Sequence, residues 1–280
     1  MPWNAHQHHH RKFLLAPGRY IDGHDRIGES ELVFWGEWEP PSRIVRRWPQ
    51  AGRLPRALHR PYWVEPPAGQ NTDPWVWGER MIYSNCKQLV GPGRRPTSMQ
   101  RLTRGSVICF GSIIDGEFCV DTVFVVASAE HWVPDEVSDL DVNDAFKTCT
   151  GNAIRAAGRD GHVPLTLYRG ATFDDQVEGM FSFVPARRAD ADDLRFRRPA
   201  LYSRLINRFS RQSTWGSRRP LSLSTVRNAW EEVLHQVMAS DLVPAIWIQT
   251  PSHDGGDAPL GIGKAEQTDD REETQEPTNC

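Results

Sequence analysis

The pattern of apolar and polar positions is clearest between residues 105 and 126. Gly105-Ser106-Val107-Ile108-Cys109-Phe110-Gly111-Ser112 and Phe118-Cys119-Val120-Asp121-Thr122-Val123-Phe124-Val125-Val126 flank the pair Asp115-Gly116. Asp-Gly between β-branched runs predicts a hairpin with a tight turn. Both runs are apolar with little alternation, so both faces of the hairpin are expected to be covered. Asp121 interrupts the second run. Burying an unpaired carboxylate there would be costly, so Asp121 is expected to be hydrogen-bonded, paired or in use.

Upstream, Lys12-Phe13-Leu14-Leu15 predicts a strand stopped by Ala16-Pro17-Gly18. A second strand runs from Glu31 towards Ser42. Its tail alternates, with Trp35, Glu37 and Glu39 on one face and Phe34, Gly36 and Trp38 on the other. Two carboxylates two residues apart on one strand face repel unless a cation or substrate lies between them. Residues 43–74 show little periodicity and are rich in Pro, Arg and Trp, which predicts a long ordered loop facing a ligand. Met81 to Tyr83 reads as a strand ending in the polar cluster Ser84-Asn85-Cys86-Lys87-Gln88. A helix is predicted over 143–157, capped by Asn143 or Asp144 and stopped by Gly158. Strands follow at 165–169 and 180–185. A second helix starts near Ser222 or Ser224, with Val226, Trp230, Val233, Leu234, Val237 and Met238 on one face. Val243 to Ile248 is a last strand. The pattern predicts an α+β protein, a mixed or barrel-like β core with flanking helices. One domain is expected over 1–250, β-rich in 10–130 and mixed in 131–250, with a disordered acidic tail over 251–280.

Composition changes this picture in three ways. Among 280 residues, 33 basic against 36 acidic side chains give a formal net charge of -3, so any nucleic-acid contact must come from a local patch. Such a patch is suggested by ten arginines between residues 187 and 219, against Asp190, Asp192 and Asp193. Arg204, Arg208 and Arg211 share one helical face there, either a phosphate-contacting stripe or a solvated surface. Five scattered cysteines without a Cys-x-x-Cys pair predict reduced thiols and no zinc ribbon. The run His6-Gln7-His8-His9-His10 has no matching ligands later in the chain and reads as solvated, so no metal or other cofactor is expected. With neither a signal peptide nor a membrane-length apolar run, the expectation is a soluble cytoplasmic protein that does not enter a membrane.

Phosphate-loop, dinucleotide, serine-hydrolase, zincin and deaminase fingerprints are absent. What stands out is a set of carboxylates embedded in aromatic strands: Glu37, Glu39 and Asp121. Cleavage of an N-glycosidic bond passes through an oxocarbenium-like state, which one carboxylate stabilises while it or another activates water. Trp35, Trp38 and Tyr83 offer rings to stack an extruded base, and Asn85 and Lys87 offer groups to read its polar edge. Arginines would hold the flanking phosphates.

The order Arg104-Gly105-Ser106, buried strand, Asp-Gly turn, buried strand is similar to the core of PUA-like barrels, in which a hydrophobic hairpin underlies a single-base pocket. The segments Phe34-Trp35-Gly36-Glu37-Trp38-Glu39, Tyr83-Ser84-Asn85-Cys86-Lys87-Gln88 and Asp121-Thr122-Val123-Phe124-Val125-Val126 resemble a bacterial group tied to modified DNA. That group is close to an anti-phage DNA glycosylase that removes glucosylated hydroxymethylcytosine. The resemblance implies excision of a bulky modified pyrimidine from phage DNA, leaving an abasic site in antiviral defence. The water-activating motif of uracil-DNA glycosylases is not present. Two alternatives stay open: a non-catalytic PUA-like reader that binds a flipped modified base, and a structural or toxin-partner protein.

Overall fold

The computed structural model describes residues 11–49, 52, 54–65, 71–90, 94–156, 162–202 and 221–253. The chain begins with β1 (Arg11–Ile21), β2 (Ile27–Glu37), β3 (Ser42–Arg47) and β4 (Ala57–Pro61). Short strands β5 (Ile82–Tyr83), β6 (Leu89–Val90) and β7 (Arg95–Pro96) follow, then the long pair β8 (Val107–Ile114) and β9 (Glu117–Trp132). The second half supplies α1 (Asp144–Phe146), a π turn (Lys147–Asn152), α2 (Ala153–Ala156), β10 (Leu165–Gly170), β11 (Val184–Arg188), α3 (Leu223–Ala239) and β12 (Val243–Ile248). The architecture is α+β, as the pattern predicts.

Six strands form one sheet in the order β12-β11-β2-β1-β4-β3, and four form a second in the order β5-β10-β9-β8. β12 also pairs with β1, so β1, β2, β11 and β12 make a local circuit. β3 and β4 continue outside that circuit and the second sheet is separate, so the β core is not a closed barrel. Two apolar cores are lined by both sheets. Leu14, Leu32, Phe34, Phe124 and Val126 enter one, with Trp75, Trp77, Tyr83, Phe146 and Leu167. Phe13, Leu15, Val33, Val123 and Val125 enter the other, beneath Trp230, Val233 and Val237 of α3. Period-two alternation thus sends neighbouring residues of β1, β2 and β9 into different cores.

The hairpin at 107–132 forms as predicted, with Asp115 at φ 54° and Gly116 at φ 86° making its turn. β9 is buried from Cys119 to Ala127, whereas β8 is an edge strand and mostly half-buried. Asn143 caps the first helix by accepting from the Phe146 amide at 2.8 Å, and Ser222 caps α3 through the Thr225 amide at 3.2 Å.

Three expectations about elements change. β1 does not stop at Ala16-Pro17-Gly18 but pairs with β2 along its whole length. The Pro17 carbonyl accepts from the Gln249 amide, just beyond the end of β12, so the missing Pro17 N–H faces the β12 rim and breaks no bond to β2. Gly18 is required there, because a Cβ would stand 2.6 Å from the Trp247 carbonyl oxygen. The loop expected over 43–74 contains the β3–β4 hairpin. The strand expected over 180–185 is displaced to 184–188. Residues 254–280, most of the expected tail, lie outside the described residues, as does His6 to His10. Among the described residues no helix is long and apolar enough to cross a membrane.

Candidate functional site: a buried arginine–carboxylate network

At one end of the second core, Arg11 lies directly opposite Glu37 in the β1–β2 register. Residues opposite one another on antiparallel strands point to the same face, so the pair forms a cross-strand ion pair, Nη1 to Oε2 at 2.8 Å. The Nε of the same guanidinium donates to Asp121 Oδ2 at 2.7 Å. One arginine therefore bridges two of the carboxylates singled out by sequence, from positions 110 residues apart in the chain.

Asp121 reaches this point because of a β-bulge. Phe110 pairs with Thr122 and Gly111 with Val120, which leaves Asp121 as the extra residue of β9. A bulge breaks strict alternation and re-aims the inserted side chain. Gly111 is obligatory opposite it, since a Cβ there would lie 2.1 Å from the Cys119 carbonyl oxygen. A third segment closes the site. Residues 196–201 run beside the start of β9, with the Val120 amide donating to the Pro199 carbonyl and the Leu201 amide to the Phe118 carbonyl. This brings Arg198 within 3.6 Å of Asp121 Oδ2, while its Nη1 donates to Ser112 Oγ at 2.7 Å. The Arg198 guanidinium also sits over the Trp35 ring, 5.7 Å from the centroid. Trp35 is held in turn by its Nε1–H bond to the Phe196 carbonyl, 2.9 Å.

The four charged side chains are almost fully enclosed, 7% exposed for each arginine and 2–3% for each carboxylate. Two cations balance two anions. Burial penalises each charge singly, and this mutual pairing offsets that cost in the interior. The network thus resolves the repulsion expected on the Trp35 strand: Glu37 is turned inward onto Arg11.

A polar shelf adjoins it. Glu37 Oε1 accepts a long bond, 3.4 Å, from the Asp73 amide. The Asp73 carboxylate is wholly buried and receives the amides of Ser84 (2.8 Å), Asn85 (3.0 Å) and Cys86 (2.6 Å). Burial pushes the Asp73 carboxyl up to about 6, opposed by these three donors and reinforced by the nearby Glu37 charge. Asp73 therefore fixes the loop that displays Asn85 and Lys87.

The remaining sequence candidates divide clearly. Glu39 lies beyond β2 and half-buried, with its amide donating to Thr72 Oγ1 at 3.4 Å. Its charge acts on Lys12, whose ammonium is lowered to about 8 by burial and only partly restored by Glu39. Trp38 is fully buried between Trp75 and Trp77 and donates to the Pro41 carbonyl. Tyr83 is also fully buried, stacked on Tyr168 at 5.6 Å, with its hydroxyl donating to the Cys86 carbonyl. Asn85 is half-buried and exchanges amide hydrogen bonds with Asn71 at 3.3–3.4 Å. Lys87 is exposed at φ 61°. Trp35, Glu37 and Asp121 are thus brought together, and Trp38 and Tyr83 serve the other core. Arg204, Arg208 and Arg211 fall outside the described residues.

Sequence reasoning did not single out Arg11, Ser112 or Asp73, and it counted Arg198 only among the arginines of residues 187–219, not as a partner of Asp121. Arg11 had a signal, because a hairpin between the first two strands places it opposite Glu37. Arg198 sits on an irregular segment with no strand register to predict its approach to β9, and Asp73 meets the Ser84, Asn85 and Cys86 amides from a segment without periodicity. Two surface clefts lie away from the network, one on α3 between Asn228 and Ala239 and another of about 160 Å3 lined by Arg19, Arg80 and Asp174. No known protein family, curated protein or solved structure matches this chain.

Proposed function

We propose that the chain hydrolyses the N-glycosidic bond of a bulky modified pyrimidine in phage DNA, in the cytoplasm, with the Trp35–Arg198–Asp121–Arg11–Glu37 network as its centre. The observation that supports this reading is the convergence of Trp35, Glu37 and Asp121, chosen from sequence for this chemistry, on one pair of arginines. A carboxylate placed beside the sugar stabilises the positive charge that develops on it. Arg198 shields the Trp35 ring in the closed arrangement. Moving it aside exposes an indole face for base stacking and opens Asp121 to the sugar. Asn85, displayed by Asp73, then reads the polar edge of the base.

A second reading is favoured by the same arginines: a non-catalytic reader of a flipped base, in which Asp121 and Glu37 hold three segments together. Purified protein incubated with glucosylated and with unmodified phage DNA separates the two. Free modified base, with alkali-labile breaks confined to the modified DNA, is the expected result. Retarded migration without base release would overturn the enzymatic reading.

A further inference from the structure

The β3–β4 hairpin was expected to be a loop, and its strand geometry gives it a second meaning. From Pro40 to Val64 the sequence holds six arginines (Arg43, Arg46, Arg47, Arg53, Arg56 and Arg60) and no aspartate or glutamate, while the rest of the chain carries a formal charge of -9. β3 is the outer strand of the six-stranded sheet, and four of its six residues, Arg43, Ile44, Arg46 and Arg47, are exposed. The register skips Val45, so a bulge falls in the middle of the strand. Arg43 and Arg46 oppose Arg60 and Leu58, which places them on one face, with Arg47 on the other. Arg56 is exposed where the hairpin closes beside Trp48.

Aromatic rings order these cations. The guanidiniums of Arg46 and Arg195 sit over the Trp48 ring, 5.3 and 5.7 Å from its centroid, and Arg43 sits 5.7 Å from the Tyr62 centroid. Arg197 is exposed nearby and approaches Gly52. Stacked guanidiniums lose less freedom on binding an anion and keep their N–H fork outward. The ring faces already hold cations, which suits phosphate contact better than stacking of splayed bases. Charge on an edge strand also deters edge-to-edge pairing, and one or two charges suffice for that. Arg60 is half-buried and pairs with Glu31 at 2.9 Å, but the four exposed arginines described in the hairpin, Arg43, Arg46, Arg47 and Arg56, still exceed that need.

We propose that the β3–β4 hairpin, with Arg195 and Arg197, is a docking surface for the phosphate backbone of duplex DNA, distinct from the buried network. The choice of DNA as the polyanion rests on the function proposed above; the surface itself does not. Binding of a 30-base-pair unmodified duplex is measured by fluorescence anisotropy across about 50 to 200 mM salt, a range over which phosphate contacts weaken strongly. The full-length chain is compared with a triple variant, Arg46→Gln, Arg47→Gln and Arg56→Gln, and with a charge-matched control, Arg95→Gln, Arg101→Gln and Arg155→Gln, on exposed residues elsewhere. The hairpin variant is expected to lose at least about tenfold in affinity and to flatten the log–log salt slope by about 3, while the control stays near wild type. Equal binding by the hairpin variant, equal loss in the control, or no DNA binding by the wild type would each overturn the surface. Loss confined to the hairpin variant, with no base released from glucosylated DNA, would keep the surface and remove the glycosylase reading. Base release with hairpin-independent binding would do the reverse.

Discussion

Removing Arg11 gives the sharpest test of what the buried network does. In Arg11→Met the aliphatic stem is replaced at similar length, but two short charge-assisted bonds, 2.7 Å to Asp121 and 2.8 Å to Glu37, are lost. Both carboxylates are 2–3% exposed and cannot recover their hydration without local opening. Breaking a buried ion pair from one side typically costs about 3–5 kcal/mol, because the surviving charge is left uncompensated. Asp121 keeps Arg198 at 3.6 Å, so the lower half of that range, about 3–4 kcal/mol, is expected. For a chain of this size that corresponds to a fall in Tm of roughly 6–16 °C. The assay is urea denaturation followed by tryptophan fluorescence, with thermal melts in parallel. Arg11→Met combined with Glu37→Met removes the orphaned charge, and at least half of the loss should return. A single variant within about 1 kcal/mol of wild type, or a double variant as unstable as the sum of its parts, would refute the claim that these groups act as one coupled unit.

Other outcomes follow from the same geometry. Gly111→Ala should destabilise the fold by about 2 kcal/mol or more, since its Cβ meets the Cys119 backbone 2.1 Å away; an unchanged melting curve would disprove the required bulge. Asp121→Asn should abolish base release from glucosylated DNA while duplex binding persists; full activity in a folded variant would remove Asp121 from the chemistry. Stability against pH is set in part by two opposed groups. The Asp73 carboxyl is raised from 3.8 to about 6, so the folded state holds the extra proton and gains stability as pH falls through that interval. His59 is lowered from 6.5 to about 4 by burial, then by Lys12 and Arg47, so the unfolded state takes the proton and stability is lost as pH falls from 6.5 to 4. Relative to wild type, Asp73→Asn should lose stability on acidification and His59→Gln should gain it, by up to about 1.4 kcal/mol per pH unit. Denaturation at pH 6.5, 5.5 and 4.5 checks both signs, and parallel pH curves for all three proteins would refute the assignment.

Sequence by itself determined the features whose causes are local. Asp115-Gly116 specifies its turn through backbone conformations that an Asp-Gly pair adopts readily. Asn143 and Ser222 cap helices whose orphan amides lie three residues away. Alternation in β2 sorted Phe34 from Trp35 before any partner was known, and the misplaced charge at Asp121 announced that something must answer it. Tertiary structure alone decided what answered it. Arg11 stands 110 residues away and reaches Asp121 only because a bulge, anchored at Gly111, turns that carboxylate out of its strand's alternation. Arg198 arrives on an irregular segment, and Asp73 gathers three amides from a loop that no periodicity marks. Pro17 reads as a stop until the sheet shows that its missing donor faces a rim, and β3 reads as a loop because an edge strand exposed on both faces has no apolar side to advertise. Burial, register and the pairing of distant charges are properties of the assembled chain, and they settle which polar residues hold the protein together and which remain exposed to meet a partner.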